Sequence, residues 1–470
     1  MVKVSLISTY ELGRQPFGLA SPAAWLREAG CEVHCLDLSV NSLDSAGLQD
    51  ADLVAFYVPM HMATRMTVPL IEQVRQLNPQ AHLCAYGLYA PVSADYLCRL
   101  GIQTILGGEF ESGLVALADQ LRTPPSLQPS QSSALQSSSP PTFPSSNLPP
   151  ISLKRQQFRL PDRADLPALQ QYAQLVTETG HKMVGYTEAT RGCKHLCRHC
   201  PIVPVYGGHF RVVQREIVLA DIRQQVEAGA QHITFGDPDF FNGPGHALAI
   251  VQFLHENFPS VTFDVTIKVE HLLKYAKHLP TLKKSGCLFI TTAVESFDEE
   301  MLAIFDKRHT LADFEAALAL GRGLDILLVP TFVAFTPWTT LTSYRHFLRQ
   351  IVRLKLVDQV APIQCAIRLL IPPGSRLLAL AQTQAIIGDL DEAKLSYTWG
   401  HADPRVASLQ ADLEDLVQRC AAQKLPRREV FRRIWERAFA GVGDPEGQVA
   451  FPDLPPASRF VPYLTEPWYC

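Results

Sequence analysis

Residues 190–200 read Thr-Arg-Gly-Cys-Lys-His-Leu-Cys-Arg-His-Cys, which places Cys193, Cys197 and Cys200 in a Cys-x3-Cys-x2-Cys spacing. Thiolates are the ligands that iron–sulfur clusters prefer. Because this segment supplies three thiolates, one iron of a four-iron cluster would keep a position open for a small molecule. The spacing therefore predicts a [4Fe–4S] cluster with a ligand-accessible iron.

A structural zinc site is the alternative for the same cysteines. Zinc takes four protein ligands in such sites, and His195, His199 or His209 could supply the fourth. However, the loop follows the strand-like run 185–190 and opens a series of alternating strands and helices, which a zinc knob does not need. This context favours the iron–sulfur interpretation.

The chain after the cysteines alternates between helical and strand patterns. Its apolar runs predict strands at 232–235, 261–268, 287–294, 327–334 and 359–370. Repeated strand–helix units of this size predict a parallel (β/α)6 barrel, complete or partial, over residues 151–374. Side chains at the carboxyl ends of such strands converge on one mouth, where we expect the functional residues.

Residues 1–122 alternate in the same way. Five short apolar runs predict strands at 2–8, 33–38, 52–58, 83–86 and 104–106. This order predicts a Rossmann-like, doubly wound parallel sheet, so the fold class of the chain is α/β. Ligands of such sheets bind beyond the carboxyl ends of the strands.

Composition separates the remaining parts of the chain. Residues 123–150 are rich in Ser and Pro and predict a disordered linker. Residues 375–470 predict a helical C-terminal region that ends in an irregular tail rich in Pro and aromatic residues.

Charge and hydropathy exclude several classes of protein. A net charge of -4 over 470 residues gives no basis for binding nucleic acid or a membrane surface. No run approaches the length of a membrane-spanning helix, and the first residues do not form a signal peptide. With eight of the eleven cysteines scattered outside the 193–200 cluster and no secretion signal, we expect a cytoplasmic protein without a disulfide framework.

Residues 185–373 resemble the radical S-adenosylmethionine (SAM) superfamily, whose members bind SAM at the open iron and cleave it reductively. The resemblance places His199 where relatives carry an aromatic residue whose backbone meets the adenine. It places Gly236, Asp237 and Asp239 where relatives carry a Gly-Gly-Glu-like motif on the SAM amino group. Capping of the following turn is the alternative role for both aspartates.

The resemblance implies further candidates at the ends of later strands. Glu295 and Ser296 stand where relatives place a polar residue on the SAM ribose or carboxylate. For Glu295, a helix N-cap or a surface carboxylate is the alternative. Arg368 ends the predicted last strand and is expected to face the cavity, and the run 335–338 could line a substrate pocket or pack in the core.

The N-terminal region resembles the cobalamin-binding domain of B12-dependent radical SAM enzymes. The resemblance rests on the Gly-Gly-Glu-Phe-Glu turn at 107–111 and on Gly87 after the fourth strand. The Asp-x-His-x-x-Gly motif that supplies a cobalt ligand is absent, and His61 lies outside any such pattern. The resemblance implies cobalamin as a cofactor, and a fold that only packs on the barrel is the alternative.

From about residue 161 onward the chain resembles the CUAEP/CCAEP-tail radical SAM (seleno)protein family. Resembling stretches include 235–241, 264–271 and 335–338, and the last residue is Cys470. Family members continue with Cys or selenocysteine and then Ala-Glu-Pro, so we expect a selenocysteine codon read as a stop. The resemblance implies that Cys470 belongs to a mobile thiol or thiol–selenol pair, and an incidental cysteine is the alternative.

Together these residues predict a radical SAM enzyme, most naturally a transferase. Catalytic roles are expected for Glu295, Arg368 and Cys470, with an electron donor such as flavodoxin or ferredoxin and an unknown small-molecule substrate. The resemblance implies cobalamin-dependent methyl transfer or 3-amino-3-carboxypropyl transfer as the reaction. A non-catalytic iron–sulfur protein for electron transfer or sensing is the alternative, and it would not need polar residues at the strand ends.

Overall fold

The computed structural model describes residues 1–122, 148–440, 450–454 and 459–466. The chain divides into two compact units, Met1–Pro167 and Ala168–Cys470. Each unit is built on a sheet that is mainly or wholly parallel, which confirms the α/β fold class.

The first unit contains a six-stranded parallel sheet in the order β2-β1-β3-β4-β5-β6. Its strands are β1 (Lys3–Ser8), β2 (Glu32–Asp37), β3 (Leu53–Tyr57), β4 (His82–Tyr86), β5 (Thr104–Gly108) and β6 (Ile151–Ser152). Its helices are α1 (Phe17–Glu28), α2 (Ala46–Gln49), α3 (His61–Leu77), α4 (Tyr89–Val92), α5 (Ala94–Arg99) and α6 (Glu111–Arg122). All five predicted strands are present.

Two hydrophobic cores flank this sheet, one on each face. Leu6 packs in the core that holds residues of α1 and α6, whereas its neighbour Ile7 packs in the core that holds Ile71 and Val74 of α3. Both faces of the strands are therefore covered, as in doubly wound parallel sheets. This explains why the strands read as continuous apolar runs.

Residues 148–167 belong with the first unit. Ile151 pairs with Gly107 as the start of β6, and Asp162 forms an ion pair with Arg27 of α1 at 2.5 Å. Most of the predicted linker, residues 123–147, lies outside the described residues. The four-part division of the chain stays a prediction.

The second unit contains a seven-stranded sheet in the order β14-β13-β12-β11-β8-β7-β17. The strands of this sheet are β7 (Gln174–Thr177), β8 (Gly180–Thr187), β11 (His232–Phe235), β12 (Thr262–Thr266), β13 (Cys287–Glu295), β14 (Leu327–Phe332) and β17 (Tyr463–Leu464). Two antiparallel pairs lie outside it: β9 (Thr190–Gly192) with β10 (Phe210–Val212), and β15 (Ile387–Asp391) with β16 (Ser396–Trp399). Strands β8 and β11 to β14 are parallel and form a curled half-barrel. Strands β7 and β17 extend it in the antiparallel sense.

Helices follow the parallel strands. They are α7 (Val203–Tyr206), α8 (Arg215–Glu227), α9 (Pro244–Asn257), α10 (Val269–Lys274), α11 (Leu279–Lys284), α12 (Glu299–Phe305), α13 (Leu311–Gly323), α14 (Leu341–Arg353), α15 (Ala381–Gln384), α16 (Pro404–Ala422) and α17 (Arg427–Phe439). Thr310 and Thr340 begin α13 and α14 with capping boxes, which fix where each helix starts after its loop. No helix among the described residues is long and apolar enough to cross a membrane.

The predicted strand at 359–370 is wrong. Pro362 begins a 3₁₀ turn that ends at Cys365, and only an isolated bridge from Phe335 to Arg368 continues the parallel pattern. The side chain of Gln364 accepts the N–H of Phe332 at 2.8 Å, so a side chain takes up an edge hydrogen bond that a strand would form. In the C-terminal region, α16 and α17 agree with the prediction, but the hairpin β15–β16 was not expected.

Candidate active site

The three cysteines lie in the loop that follows β8 and β9. Cys197 is buried, Cys193 and Cys200 are half-buried, and all three are free thiols. Burial raises the pKa of Cys193 to about 11 and that of Cys200 to about 12. These sulfurs are therefore protonated at neutral pH unless a metal ion displaces the proton. Three closely spaced thiols in a part-buried loop fit a metal cluster and do not form disulfides.

Asp237 anchors the backbone just before this loop. Its carboxylate accepts the N–H of Ala189 at 2.9 Å and the hydroxyl of Thr190 at 2.6 Å. Burial raises the pKa of Asp237 to about 7, against the lowering effect of these hydrogen bonds. Both oxygens are engaged by the segment after β8 and not by the turn that follows Asp237, so the turn-capping alternative does not describe this residue.

Gly236 is required by packing against β8. A Cβ at this position would lie 1.9 Å from the hydroxyl oxygen of Tyr186. The phenol therefore occupies the space that any larger residue would need. This contact gives Gly236 a structural role whether or not it also contacts a ligand.

Asp239 belongs to a different cluster from Asp237. Its Oδ2 lies 2.6 Å from His271 Nδ1 and 3.3 Å from His195 Nε2, while its Oδ1 accepts the N–H of Phe241 at 3.1 Å. Burial would raise the pKa of Asp239, but the two imidazoles hold it below its usual range. An ionised carboxylate and two histidines thus meet in the interior, and one histidine comes from the cysteine loop.

Lys268 and Glu270 adjoin this cluster. Lys268 Nζ lies 3.3 Å from His195 Nδ1 and 3.5 Å from Glu270 Oε2, and Glu270 Oε2 is 3.6 Å from the same histidine nitrogen. Lys268 is buried, so it forms an interior ion pair at the end of β12. A buried lysine next to a cluster loop contributes positive charge where anionic groups can be bound.

Glu295 forms the second charged cluster of the half-barrel. Its Oε1 lies 3.3 Å from Lys307 Nζ and 3.4 Å from His199 Nε2. Burial opposes ionisation, but Lys307 and then His199 lower the pKa of Glu295 to about 2. Its backbone adopts φ 71°, at a register shift between Ala293 and Glu295 that turns the strand end. Left-handed backbone at a non-glycine residue is uncommon and concentrates at functional sites.

The helix-cap alternative for Glu295 is wrong, because Asp298 caps α12. Asp298 Oδ1 accepts the N–H groups of Glu300 and Met301 at 2.9 and 3.2 Å. Ser296 Oγ in turn accepts the N–H of Asp298 at 3.1 Å. Ser296 therefore orders the turn between β13 and α12.

Two residues of the loop after α12 complete the interior. Lys307 is 2% exposed, and its pKa is raised because Glu295 and the cluster thiols outweigh burial. Burial, together with Lys307 and Lys268, lowers the pKa of His309 to about 4. Its imidazole is therefore neutral at physiological pH, and a backbone contact with Val294 opposes part of this shift. The charges that act on His309 belong to both clusters, because Lys268 adjoins Asp239 and Lys307 pairs with Glu295.

His199 and Arg368 both contact aromatic rings. The His199 ring lies on Phe305 with centroids 4.5 Å apart. The guanidinium of Arg368 lies 3.7 Å from the centroid of the Trp399 ring and donates to the carbonyl of Trp399. Arg368 is thus held by the β15–β16 hairpin and not by the charged clusters described above.

The predicted residues therefore divide into three groups. Cys193, Cys197, Cys200, His199, Glu295 and Asp239 gather around the cysteine loop, Asp239 through its contact with His195; Gly236, Asp237, Ser296 and Arg368 contact neighbouring segments of the chain; Cys470 lies outside the described residues. Sequence analysis missed Lys307 and His309 altogether. Their only local signal is the basic run Lys-Arg-His at the end of a helix, which is usually a solvated helix terminus.

Comparison with known proteins assigns this region. Residues 187–334 match the radical SAM superfamily. The half-barrel is a radical SAM domain. Such a domain implies a [4Fe–4S] cluster and SAM as cofactors, and the three thiols of the cysteine loop are of the type that such a cluster binds.

The similarity to relatives and to solved structures covers more of the chain than this domain. The chain is 25% identical over 333 residues to hopanoid C-3 methylase of Methylococcus capsulatus (strain ATCC 33009 / NCIMB 11132 / Bath), covering 69% of this chain and 62% of the methylase. The radical SAM methyltransferase TsrM from Kitasatospora setae, solved with cobalamin and a [4Fe–4S] cluster, superposes with a TM-score of 0.64 at 14% identity over 97% of this chain and 92% of TsrM. The cobalamin-dependent radical SAM enzyme OxsB gives a TM-score of 0.61 at 14% identity over 89% of this chain and 66% of OxsB. The chain thus spans less than two thirds of the methylase and of OxsB.

Proposed function

We propose that this chain is a cobalamin-dependent radical SAM methyltransferase acting on a small molecule. The observation that carries the proposal is the convergence of the three-cysteine loop with the buried Glu295–Lys307 pair at the carboxyl edge of the half-barrel. A protein that only carries electrons would not need an ion pair of this kind beside its cluster.

When bound, the cluster would supply an electron to the SAM sulfonium and so open a route to a 5′-deoxyadenosyl radical. The chain's own residues bind and orient the cosubstrate. Glu295, which is ionised at neutral pH, is suited to accept hydrogen bonds from the ribose hydroxyls. Lys307 is suited to balance the SAM carboxylate, and the neutral imidazole of His309 is suited to exchange a hydrogen bond with the bound cosubstrate.

Cobalamin is assigned to the first unit. The hydroxyl of Ser8, at the carboxyl end of β1, is completely buried and has no hydrogen-bond partner among the described residues, so it is available to a polar group of a ligand. Gly87, after β4, has φ +112°, which permits a backbone that other residues rarely adopt. His61 lies outside any Asp-x-His-x-x-Gly pattern, and its ring makes a T-shaped contact with Tyr89. No bond to cobalt is therefore assigned to it.

The remaining expectations belong to this proposal. A reductant is required, for which flavodoxin or ferredoxin in the cytoplasm is suited. Cys470, which lies outside the described residues, acts in this proposal as a thiol of the C-terminal segment. Methyl transfer is favoured over 3-amino-3-carboxypropyl transfer because the relatives named above include a methylase and a methyltransferase.

The test is anaerobic SAM turnover. The full chain is reconstituted with iron and sulfide, reduced with dithionite, supplied with SAM and hydroxocobalamin, and assayed for 5′-deoxyadenosine, methylthioadenosine and bound corrinoid. We expect 5′-deoxyadenosine from the wild type and from Cys420→Ala, which removes a buried thiol of α16, and none from Cys197→Ala.

Each other outcome contradicts a specific part of the proposal. Methylthioadenosine as the main product indicates 3-amino-3-carboxypropyl transfer. A four-iron cluster with no SAM product of any kind indicates an electron-transfer protein. A protein that retains no corrinoid would contradict the proposed cobalamin dependence but not the radical SAM assignment.

A further inference from the structure

The cluster of His195, Asp239 and His271 is not used by the function proposed above. Its three donor atoms, His195 Nε2, Asp239 Oδ2 and His271 Nδ1, all lie within 4.8 Å of one another. Ligand atoms bound to one tetrahedral ion at about 2.0–2.2 Å are separated by roughly 3.0–3.6 Å. The distance of 3.3 Å from Asp239 Oδ2 to His195 Nε2 lies in this range, whereas the 2.6 Å to His271 Nδ1 is a hydrogen-bond distance that would open by roughly 0.5 Å around an ion.

These atoms are buried and lack hydrogen-bond partners. Asp239 and His271 are each 1% exposed, and His195 is 9% exposed. None of the three donor atoms forms a hydrogen bond among the described residues, although they approach one another closely. Buried polar atoms are nearly always paired, and here Asp239 Oδ2 contacts the two imidazole nitrogens at 2.6 and 3.3 Å, contacts that a shared cation would replace with metal–ligand bonds.

The charge of the surroundings also favours a cation. The Asp239 side chain is 1% exposed, whereas that of Glu270, which pairs with Lys268, is 33% exposed, so Asp239 is the carboxylate whose charge is removed from water. A surplus negative charge in a buried position is costly unless a cation compensates it. A divalent ion at the three donor atoms would supply that compensation.

We propose that His195, Asp239 and His271 bind one divalent first-row metal ion, separate from the iron–sulfur cluster. Two imidazoles and a carboxylate suit zinc or ferrous iron better than magnesium or calcium, which prefer oxygen ligands. Three protein ligands leave a coordination position open, as in catalytic zinc sites, so the ion can take a heteroatom of a substrate.

Glu270 and Lys268 act as the outer shell of this site. With a metal ion on Nε2, His195 Nδ1 would carry the proton, and Glu270 Oε2, which lies 3.6 Å away, would have to move closer to accept it in place of the 3.3 Å contact with Lys268 Nζ. Lys268 lies 3.5 Å from the same carboxylate oxygen and balances its charge. Carboxylates that orient a ligating histidine typically change metal affinity by about 10- to 100-fold.

The experiment measures zinc in the reconstituted holoenzyme. The full chain with its iron–sulfur cluster is given one equivalent of Zn²⁺, passed through a desalting column, and analysed for zinc and iron by mass spectrometry. Zinc K-edge absorption then identifies the ligands. We expect about one zinc per chain with unchanged iron, and nitrogen or oxygen scatterers at about 2.0–2.1 Å without sulfur.

Variants decide which residues hold the ion. We expect Asp239→Asn and His271→Gln to lose zinc at least tenfold while keeping iron, and Glu270→Gln to weaken zinc binding by about tenfold. Asp264→Asn is the matched control, because Asp264 accepts hydrogen bonds from buried His232 and from Thr234 in the same sheet. This control variant should keep its zinc.

Three outcomes would overturn the proposal. They are a wild type that retains no zinc, sulfur scatterers that place the zinc on the cysteine loop, and variants that bind zinc like the wild type. If Asp239→Asn does not fold, His271→Gln and His195→Gln decide the question. SAM cleavage does not enter any of these readouts, so the proposed function can fail or hold independently.

Discussion

Lys307 Nζ lies 3.3 Å from Glu295 Oε1, and both side chains are largely removed from water. The two residues come from the end of β13 and from the loop after α12. The residues on either side of Lys307, Asp306 and Arg308, both have a left-handed backbone conformation. This conformation shapes the loop so that the lysine side chain turns inward. Removing one partner of such a pair leaves an uncompensated buried charge.

Glu295→Gln is therefore expected to lower the free energy of unfolding by about 3 kcal/mol, and to weaken SAM binding because Lys307 loses its orienting partner. Urea unfolding followed by circular dichroism and equilibrium dialysis with SAM measure the two effects. Glu295→Gln combined with Lys307→Met should recover much of the stability but not the SAM affinity. Full SAM binding by the double variant would show that the pair has only a structural role.

The raised pKa of Asp237 predicts that the free energy of unfolding depends on pH. Its pKa is raised from 3.8 to about 7 in the folded state, so the folded chain binds a proton more tightly than the unfolded chain between these values. Stability is therefore highest below the unfolded pKa and falls as the pH rises through about 7.

The expected loss is about 1 kcal/mol between pH 6 and pH 8, measured as the urea midpoint at each pH. Asp237→Asn should flatten this part of the profile because the amide does not titrate. A wild-type profile that rises over the same interval would contradict the assignment.

Gly236 predicts a steric effect that a ligand-binding role would not produce. Gly236→Ala should destabilise the chain by about 1–3 kcal/mol, because its methyl group would overlap the phenol of Tyr186. In the double variant with Tyr186→Leu, part of that loss should be recovered, since the leucine leaves the space open. Thermal unfolding measures both changes, and an additive loss in the double variant would argue against the contact.

The sequence predicted those parts of the site that are local. Cys193, Cys197 and Cys200 lie within one loop, so their spacing alone indicates a cluster. Strands β1 to β5 and β11 to β14 were predicted because they read as apolar runs, whereas the short strands β6, β7, β9, β10 and β15 to β17 were not. The strand expected at 359–370 is apolar for another reason, since Cys365 and Leu369 pack in the interior from a turn and an irregular segment.

Contacts between distant segments could not be predicted in this way. Asp239 and His271 are brought together only when two strands pair and their following loops meet. Lys307 and His309 follow a short helix, where basic residues are usually solvated. Their burial depends on two left-handed residues, Asp306 and Arg308, which have no glycine to mark them in the sequence.

The variant Arg368→Lys tests whether this residue, which was expected to be catalytic, instead positions its neighbours. Arg368→Lys would lose the planar stack on Trp399 and the hydrogen bond to its carbonyl, which an ammonium group does not replace in the same geometry. We expect a loss of about 1–2 kcal/mol of stability, seen by urea unfolding with Trp399 fluorescence as a local probe. SAM cleavage without substrate should persist within about threefold of wild type, because the change corresponds to less than about 1 kcal/mol in the barrier. Abolished SAM cleavage in a folded Arg368→Lys variant would restore the catalytic role, whereas Trp399→Phe should reproduce the loss of stability if the stack is what matters.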